Sequence, residues 1–153
     1  MELTIELKKQ AHAACLEMVN ERVDTAKSAM DAAQAAANED TKSSAGDKYE
    51  TGRAMMMLEK EKNAAQLEEA AKLKKVLIQL NPEKICTQIS PGSLFQTTTG
   101  FFYLAVGLGK IETESLSFFA ISPASPIAQQ LRGLKVGEST SFNGNTFKII
   151  QVL

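Results

Sequence analysis

Four acidic residues lie close together in the middle of a helix-forming segment. They are Glu39, Asp40, Asp47 and Glu50, with Lys42 and Lys48 among them. Carboxylate oxygens are the ligands that Mg²⁺ prefers, so these acids could present metal ligands at the end of a helical hairpin. A second interpretation needs no function, because acids at the start of a helix, such as Asp47 and Glu50, favour its macrodipole. Sequence periodicity does not separate the two interpretations.

The other residues that commonly do chemistry are few and lie in different places. His12 is the only histidine, near the base of the predicted hairpin, and we expect a packed or solvated imidazole. Cys15 and Cys86 lie in different halves of the chain. We interpret them as two small hydrophobic side chains, without a disulfide or a metal between them. The sequence predicts no catalytic residue of the protein's own and no cofactor bound by the protein alone.

The composition changes sharply at Asn81-Pro82. Up to that point there is no proline, and Ala, Glu, Lys and Met dominate. All four prolines and most of the Phe, Thr, Ser and Gly residues follow it. We therefore predict two domains, a helical hairpin over 1–81 and a smaller domain over 82–153.

The charge and hydropathy of the chain exclude two classes of function. The formal net charge is -1, with acidic and basic residues mixed. Binding to duplex DNA through counterion release needs a positive surface, so direct duplex binding is not expected. The first ten residues lack the apolar core of a secretion signal, and no segment approaches the ~20 apolar residues of a membrane-spanning helix. We expect a cytoplasmic protein without a membrane segment.

The first half has the spacing of an antiparallel two-helix coiled coil. We predict that the helices are separated by a break over 38–46, where Ser44 and Asp47 have the spacing of an N-terminal cap. The second helix should end before Pro82, and the long side chains of 55–58 should fill the space beside the alanines of the first helix. Apolar residues recur every three or four positions in the first helix at Leu16, Val19, Val23, Ala26, Met30, Ala33 and Ala37. The apolar positions of the second helix are Tyr49, Leu58, Leu67, Leu73, Val76 and Leu80.

The second half has the pattern of a small antiparallel sheet. A single short helix over 126–131 starts with Pro126, which is tolerated in a first turn, and Ser125 before it can act as the cap. The Asn143-Gly144 turn and Gly137 meet the need for positive backbone angles. The fold class is therefore α+β, with a curved antiparallel sheet after the coiled coil. The predicted strands cover 93–98, 101–107, 116–121, 139–142 and 146–152.

An ordered set of residues in the second half carries a resemblance to a known family. The set comprises Ile121, Ser122, Ser125-Pro126-Ile127-Ala128, Leu131, Gly133, Lys135, Val136-Gly137-Glu138, Phe147, Ile149, Ile150 and Val152. Here the chain resembles the carboxyl-terminal domain of the bacterial Gre transcript-cleavage factors. The resemblance implies an FKBP-like domain that docks at the rim of the RNA polymerase secondary channel, while a coiled coil enters the channel. With the hairpin in the matching order, it extends over nearly the whole chain. The implied polymerase contacts are Ser125, Pro126 and Ile127.

The resemblance also implies a role for the acidic residues. In the family, an Asp and a Glu three residues later help to hold a second Mg²⁺ in the polymerase active site, where backtracked RNA is hydrolysed. Asp40 matches the Asp, Ser43 stands where the Glu would be, and Asp47 with Glu50 repeats the spacing in the second helix. Either Asp47 and Glu50 replace the pair, beside Glu39 and Asp40, or the protein binds polymerase without stimulating cleavage. In both cases the protein is no enzyme itself.

Two other functional classes stay open at this point. An enzyme acting alone could be a prolyl isomerase, given an FKBP-like shape, or an acyl-transfer enzyme using Cys15 or Cys86. The isomerase pocket is lined with aromatic residues, whereas this domain has no Trp and a single Tyr, Tyr103, and acyl transfer needs an activating His. A structural adaptor would pair its coiled coil with a second copy or another protein. An intramolecular hairpin predicts a monomer instead.

Overall fold

Two long helices make up the first half of the computed structural model, which describes residues 1–42 and 47–153, without side chains for 40–42 and 47–50. Helix α1 covers Ile5–Lys42 and helix α2 covers Asp47–Gln79. The end of α2 agrees with the prediction, because the residue before a proline disfavours helical geometry and Pro82 follows closely. The predicted cap at Ser44 lies outside the described residues.

The predicted break at Asn38 is wrong, because α1 continues through this residue to Lys42. Gln34 Nε2 donates a hydrogen bond to Asn38 Oδ1 at 3.0 Å. Side chains four residues apart are neighbours on a helix, so Asn38 bonds to the preceding turn instead of ending the helix. Lys60 Nζ of α2 in turn donates to Gln34 Oε1, which joins the two helices at this level.

The apolar stripe predicted for α1 is confirmed by burial. Toward the end of the helix the buried members of the stripe are alanines: Ala33 is 7% exposed and Ala37 is 1% exposed. Small residues let two helix backbones approach closely, and seven-residue spacing keeps the contact on one side. The buried members are Val19, Ala26, Ala33 and Ala37, and the half-buried members are Leu16, Val23 and Met30.

The stripe predicted for α2 is partly wrong. Leu58 and Val76 are exposed, and Met55, expected to fill space beside the alanines, is exposed too. Instead, over 51–79, where the side chains of α2 are described, the buried residues are Asn63, Ala70 and Leu77, spaced by seven. This spacing keeps them on one side of the helix. The buried side of α2 includes the polar residue Asn63. Apolar residue types alone therefore do not mark the side of α2 that is buried.

Six strands form the sheet, and the short helix α3 covers Pro126–Leu131. The strands are β1 Leu94–Thr97, β2 Gly100–Leu104, β3 Gly109–Glu112, β4 Ser117–Ile121, β5 Ser139–Phe142 and β6 Asn145–Val152. Their order in the sheet is β3-β4-β2-β1-β6-β5. The predicted α+β class is confirmed, with two corrections: β3 was not predicted, and β2 pairs with β4 in parallel. Both corrections follow from β3. This strand forms an antiparallel edge pair with β4, so β4 runs in the same direction as β2.

Helices cover both faces of this sheet. On one face, α3 contributes Ala128 and Leu131 to a buried cluster that includes Phe102 of β2. On the other face, Tyr103 of β2 contacts His12 of α1. Alternate residues of a strand point to opposite faces, so the neighbours Phe102 and Tyr103 belong to two different layers of packing.

The chain packs as two compact units. One unit, called here the sheet unit, comprises residues 1–17 and 75–153, and the other, called the arm, comprises residues 18–74. The beginning of the chain joins the sheet through Gln151 of β6, whose Oε1 accepts from Leu3 N at 2.7 Å and whose Nε2 donates to Met1 O at 2.6 Å. The first turns of α1 therefore pack with the sheet, although their composition belongs to the helical half.

Candidate functional site

The acidic residues predicted as metal ligands lie around the ends of α1 and α2. Glu39 is exposed, and α2 begins at Asp47. The side chains of Asp40, Asp47 and Glu50 lie outside the described residues. Elsewhere, within the part of the chain that the structure describes, no three His, Cys, Asp or Glu residues are placed to hold a metal ion. The metal role of Asp47 and Glu50 in a complex therefore stays a prediction.

The arm has an open groove of about 610 Å³ between its two helices. Ala26 of α1 and Ala70 of α2 are both buried and line this groove. Small side chains on both helices leave room that a larger residue would fill. Glu21, Arg22 and Glu69 also line it, so charges of both signs border the apolar floor.

The three residues predicted to contact polymerase form the corner before α3. Ser125 Oγ donates to Ser122 O at 2.7 Å and accepts from Ala128 N at 3.4 Å, which confirms the predicted cap. Ile127 is half-buried and packs against the core cluster, whereas Pro126 is exposed. Ser125 and Ile127 therefore fix the shape of this corner, and Pro126 is the residue that a partner can reach.

The cap makes a direct prediction for stability. Ser125→Ala should lower the free energy of unfolding of the sheet unit by about 1 kcal/mol, because Ala128 N loses its acceptor. Urea unfolding followed by circular dichroism measures this loss. Ser125→Thr keeps the hydroxyl and should restore most of the stability, and Ser115→Ala, at an exposed position, should change it by less than about 0.5 kcal/mol. Equal losses for Ser125→Ala and Ser125→Thr would show that the hydroxyl is not the cause.

A cluster of buried polar side chains lies where α1 meets the sheet, and the sequence did not predict it. Lys8, His12 and Cys15 follow one another on one side of α1 and are all buried. Lys8 Nζ donates to Lys84 O at 2.6 Å and to Leu153 O at 3.0 Å, and lies 3.9 Å from Cys86 Sγ. The feature of the sequence that could have revealed this cluster is the spacing, since positions 8, 12, 15 and 19 continue the coiled-coil stripe toward the amino terminus. The residue types concealed it, because lysine is seldom buried.

His12 and Tyr103 form a hydrogen-bonded pair inside this cluster. His12 Nδ1 and the Tyr103 hydroxyl are 2.8 Å apart. Burial raises the pKa of the Tyr103 hydroxyl, so it keeps its proton and can donate to an uncharged Nδ1. Burial, and secondly the positive charge of Lys8, lower the pKa of His12. The imidazole is therefore a packed, neutral partner of Tyr103, in agreement with the expectation of a structural role.

The pKa of His12 predicts how stability depends on pH. The unfolded chain, with a His pKa near 6.5, binds the proton more readily than the folded protein does. The contribution of His12 is therefore fully present above the unfolded pKa of 6.5 and is lost as the pH falls below it, through the lowered pKa of the folded state. Urea unfolding at a series of pH values should show this decline, and His12→Gln, which keeps a neutral polar group, should flatten it. An unchanged slope in the variant would assign the decline to other groups.

The two cysteines are free and buried. Burial raises the pKa of Cys15 to about 12, so this thiol stays protonated near neutral pH. A thiol is a nucleophile only as the thiolate. Lys8 Nζ lies 3.9 Å from Cys86 Sγ, and the histidine bonds to Tyr103. This arrangement does not support acyl transfer by either cysteine.

Comparison of the chain with protein-family models and with curated proteins found no match. Among the described residues, no helix combines the length and the apolar character needed to cross a membrane. The geometry of the arm and of the α3 corner is therefore the basis for a functional proposal.

Proposed function

We propose that the protein is a regulator of transcription elongation that binds RNA polymerase and inserts its helical hairpin into the secondary channel. The observation that carries the proposal is the stripe of buried alanines along α1, beside buried residues of α2 spaced by seven, joined in one chain to an α+β unit with the Ser-Pro-Ile-Ala corner before α3. Both parts occur in the order that the resemblance to the Gre factors implies. The proposal implies a cytoplasmic protein.

The dimensions of the arm suit entry into a narrow channel. Residues 18–42 of α1 belong to the arm, and at ~1.5 Å per residue they extend about 37 Å. Most of the buried residues that the structure describes in the arm are alanines, at positions 26, 33, 37 and 70, and the others are Val19 and Asn63, so the side chains between the two helices add little to the width of the pair. Thin, long and rigid, such a pair can carry side chains at its end into a site that a globular domain cannot enter.

The sheet unit offers a small preformed surface for docking. Besides the bonds of Ser125, Ser122 Oγ accepts from Ala124 N at 3.2 Å, and Gln129 Nε2 donates to Ala124 O at 3.3 Å. These bonds hold the loop before α3 in one conformation, so little entropy is lost when a partner binds it. Pro126 stands exposed at its centre.

The chemistry that the proposal requires of this chain is limited. A regulator of this kind provides carboxylate ligands and a positioned water, while polymerase provides its own aspartates and a first Mg²⁺. Asp47 and Glu50 are the residues proposed to share the second Mg²⁺, with Asp40 and Glu39 beside them. The proposal needs no nucleophile from this chain.

The test adds the protein to a backtracked elongation complex of bacterial RNA polymerase and measures both binding and RNA length. Shortened RNA with the wild type, and none with the Asp47→Asn, Glu50→Gln double variant, is the result expected for a cleavage factor. Glu61→Gln, a matched change at an exposed residue of α2, should behave as the wild type. Binding without shortening would identify a non-cleaving regulator of the channel. Absence of binding would contradict the whole proposal.

The docking surface has a separate test. Pro126→Glu places a charge on the corner yet should keep α3 folded, because an acid in the first turn favours the helix macrodipole. Weaker binding to polymerase is expected, whereas Ser115→Glu, also exposed in the sheet unit, should bind as the wild type. Sedimentation of the free protein should show a monomer, and a stable dimer would favour the structural adaptor.

A further inference from the structure

A buried lysine lies beside a cysteine in the sheet unit. The Lys8 side chain is fully buried, and Cys86 is 6% exposed. Lys8 Nζ lies 3.9 Å from Cys86 Sγ. Neither residue belongs to the arm or to the α3 corner, so the function proposed above does not use this pair. A buried amine this close to a thiol is a candidate site for a covalent reaction between nitrogen and sulfur.

Two hydrogen bonds hold the amine near the sulfur. Lys8 Nζ donates to the main-chain oxygens of Lys84 and Leu153. Lysine side chains normally extend their nitrogen toward water. Here the two hydrogen bonds keep the Lys8 nitrogen inside the protein and within reach of Cys86 Sγ. Burial also lowers the pKa of the Lys8 ammonium, which increases the fraction of uncharged amine, the form that acts as a nucleophile.

We propose that Lys8 and Cys86 form a covalent nitrogen–sulfur bond when the protein meets a hydroperoxide such as H₂O₂. In the first step the Cys86 thiol gives up its proton, the thiolate attacks a peroxide oxygen and the O–O bond breaks; a sulfenic acid forms, and the departing hydroxide takes up the thiol proton and leaves as water. In the second step the lone pair of Lys8 Nζ attacks Sγ, the S–O bond breaks, and hydroxide leaves as water with a proton from the nitrogen. One peroxide accepts two electrons, and the protein loses two hydrogen atoms.

General chemistry supports the second step. A cysteine sulfenic acid condenses with a backbone nitrogen to a sulfenamide, and an amine is a stronger nucleophile than an amide. The sulfur and the nitrogen have to approach by about 2 Å from their present separation to bond, which rotation about the flexible lysine side chain can supply. The sulfenamide keeps one N–H, which can donate to one of the two main-chain oxygens that Lys8 contacts before the reaction, Lys84 O or Leu153 O.

Cys15 offers an internal comparison within the same unit. It is 0% exposed, and burial raises its pKa to about 12. Peroxide reacts with the thiolate and needs access to the sulfur. Cys15 should therefore stay reduced under conditions that convert Cys86.

The bond would change the stability of the sheet unit. It would join the first turns of α1 to the segment after α2 and close a loop of about 80 residues, which restricts the unfolded chain. We expect the thermal midpoint of the sheet unit to rise on oxidation and to return on reduction. The pair would thus act as a reversible covalent modification site that responds to peroxide.

The experiment treats the full-length protein with H₂O₂, alkylates the remaining thiols and analyses protease fragments by mass spectrometry. A fragment that joins residues 8 and 86 with the loss of two hydrogens is expected, together with alkylated Cys15. Dithiothreitol should release both fragments, because it reduces the nitrogen–sulfur bond to an amine and a thiol. Protein unfolded in urea before the treatment should give no such fragment.

Variants separate the bond from ordinary oxidation of a cysteine. Cys15→Ser should form the linked fragment as the wild type does. Lys8→Arg keeps a charged donor, but the guanidinium stays protonated and is a poor nucleophile, so Cys86 should end as sulfenic or sulfinic acid. Its thermal unfolding curve shows whether it is folded. Recovery of Cys86 in the folded wild type as a free thiol, or as sulfinic acid with Lys8 unmodified, would overturn the proposal.

Discussion

Phe102→Ala is expected to lower the free energy of unfolding of the sheet unit by about 4 kcal/mol. Phe102 is buried at the centre of the α3 face. Its ring lies 5.5 Å from that of Phe95, 5.6 Å from that of Phe119 and 6.4 Å from that of Phe147, measured between centroids. Truncation to alanine removes all three ring contacts and leaves a cavity that neighbours on three strands cannot all fill. Such a loss is a large fraction of the roughly 5–15 kcal/mol that stabilises a typical domain.

Phe119→Ala is the matched control, because Phe119 stacks on the same ring but is 40% exposed. It should cost about 1 kcal/mol, since water already reaches part of the side chain. Urea unfolding, followed by the near-ultraviolet circular dichroism of the buried Tyr103, measures both losses. Similar losses for the two variants would mean that Phe102 is not the centre of the packing.

Lys8→Met is expected to lower the free energy of unfolding by about 2 kcal/mol. Two contributions to the free energy of unfolding oppose each other in this variant. Methionine removes the cost of burying the amine, a cost that is evident in the lowered pKa of Lys8, but it also deprives Lys84 O and Leu153 O of their donor. Hydrogen bonds from a charged group contribute about 1.5–3 kcal/mol each, so the loss of two should exceed the gain. Methionine has a similar length, which keeps the packing comparable.

Lys9→Met supplies the control for this change. Lys9 lies next in the chain but is exposed, and its Nζ is 3.6 Å from Glu83 Oε1, also exposed. An exposed ion pair contributes little, so this variant should differ from the wild type by less than about 0.5 kcal/mol. Urea midpoints of both variants at one pH provide the comparison. A Lys8→Met protein as stable as the wild type would show that desolvation cancels the two bonds.

Local patterns in the sequence predicted a large part of the fold. The stripe of α1 was predictable because its buried residues are apolar and regularly spaced. The stripe of α2 was not, since Asn63 occupies a buried position while Leu58 is exposed. The strand β3 was missed because it is four residues long and buries only Ile111. Periodicity needs several buried positions to be visible, and a short edge strand does not provide them.

Part of the candidate site could likewise be predicted from local patterns in the sequence, and part could not. The cap of α3 by Ser125 and the turn at Asn143, with φ of 52°, follow from backbone requirements of adjacent residues, so their sequence signals were sufficient. The acidic residues around the ends of the two helices were recognised by their types and spacing. Their side chains lie outside the described residues except for Glu39, and their role rests on the resemblance.

By itself the sequence determined the helical hairpin, the α+β class and the α3 corner, because each depends on residues close together in the chain. Only the tertiary structure decided that Lys8 is buried beside Cys86 and that His12 bonds to Tyr103. The partners of Lys8 are 76 and 145 positions away in the chain, and that of His12 is 91 positions away. No local pattern contains such a pairing. It arises because the first turns of α1 pack on the sheet, where oxygens from distant segments satisfy an amine that sequence alone would have placed in water.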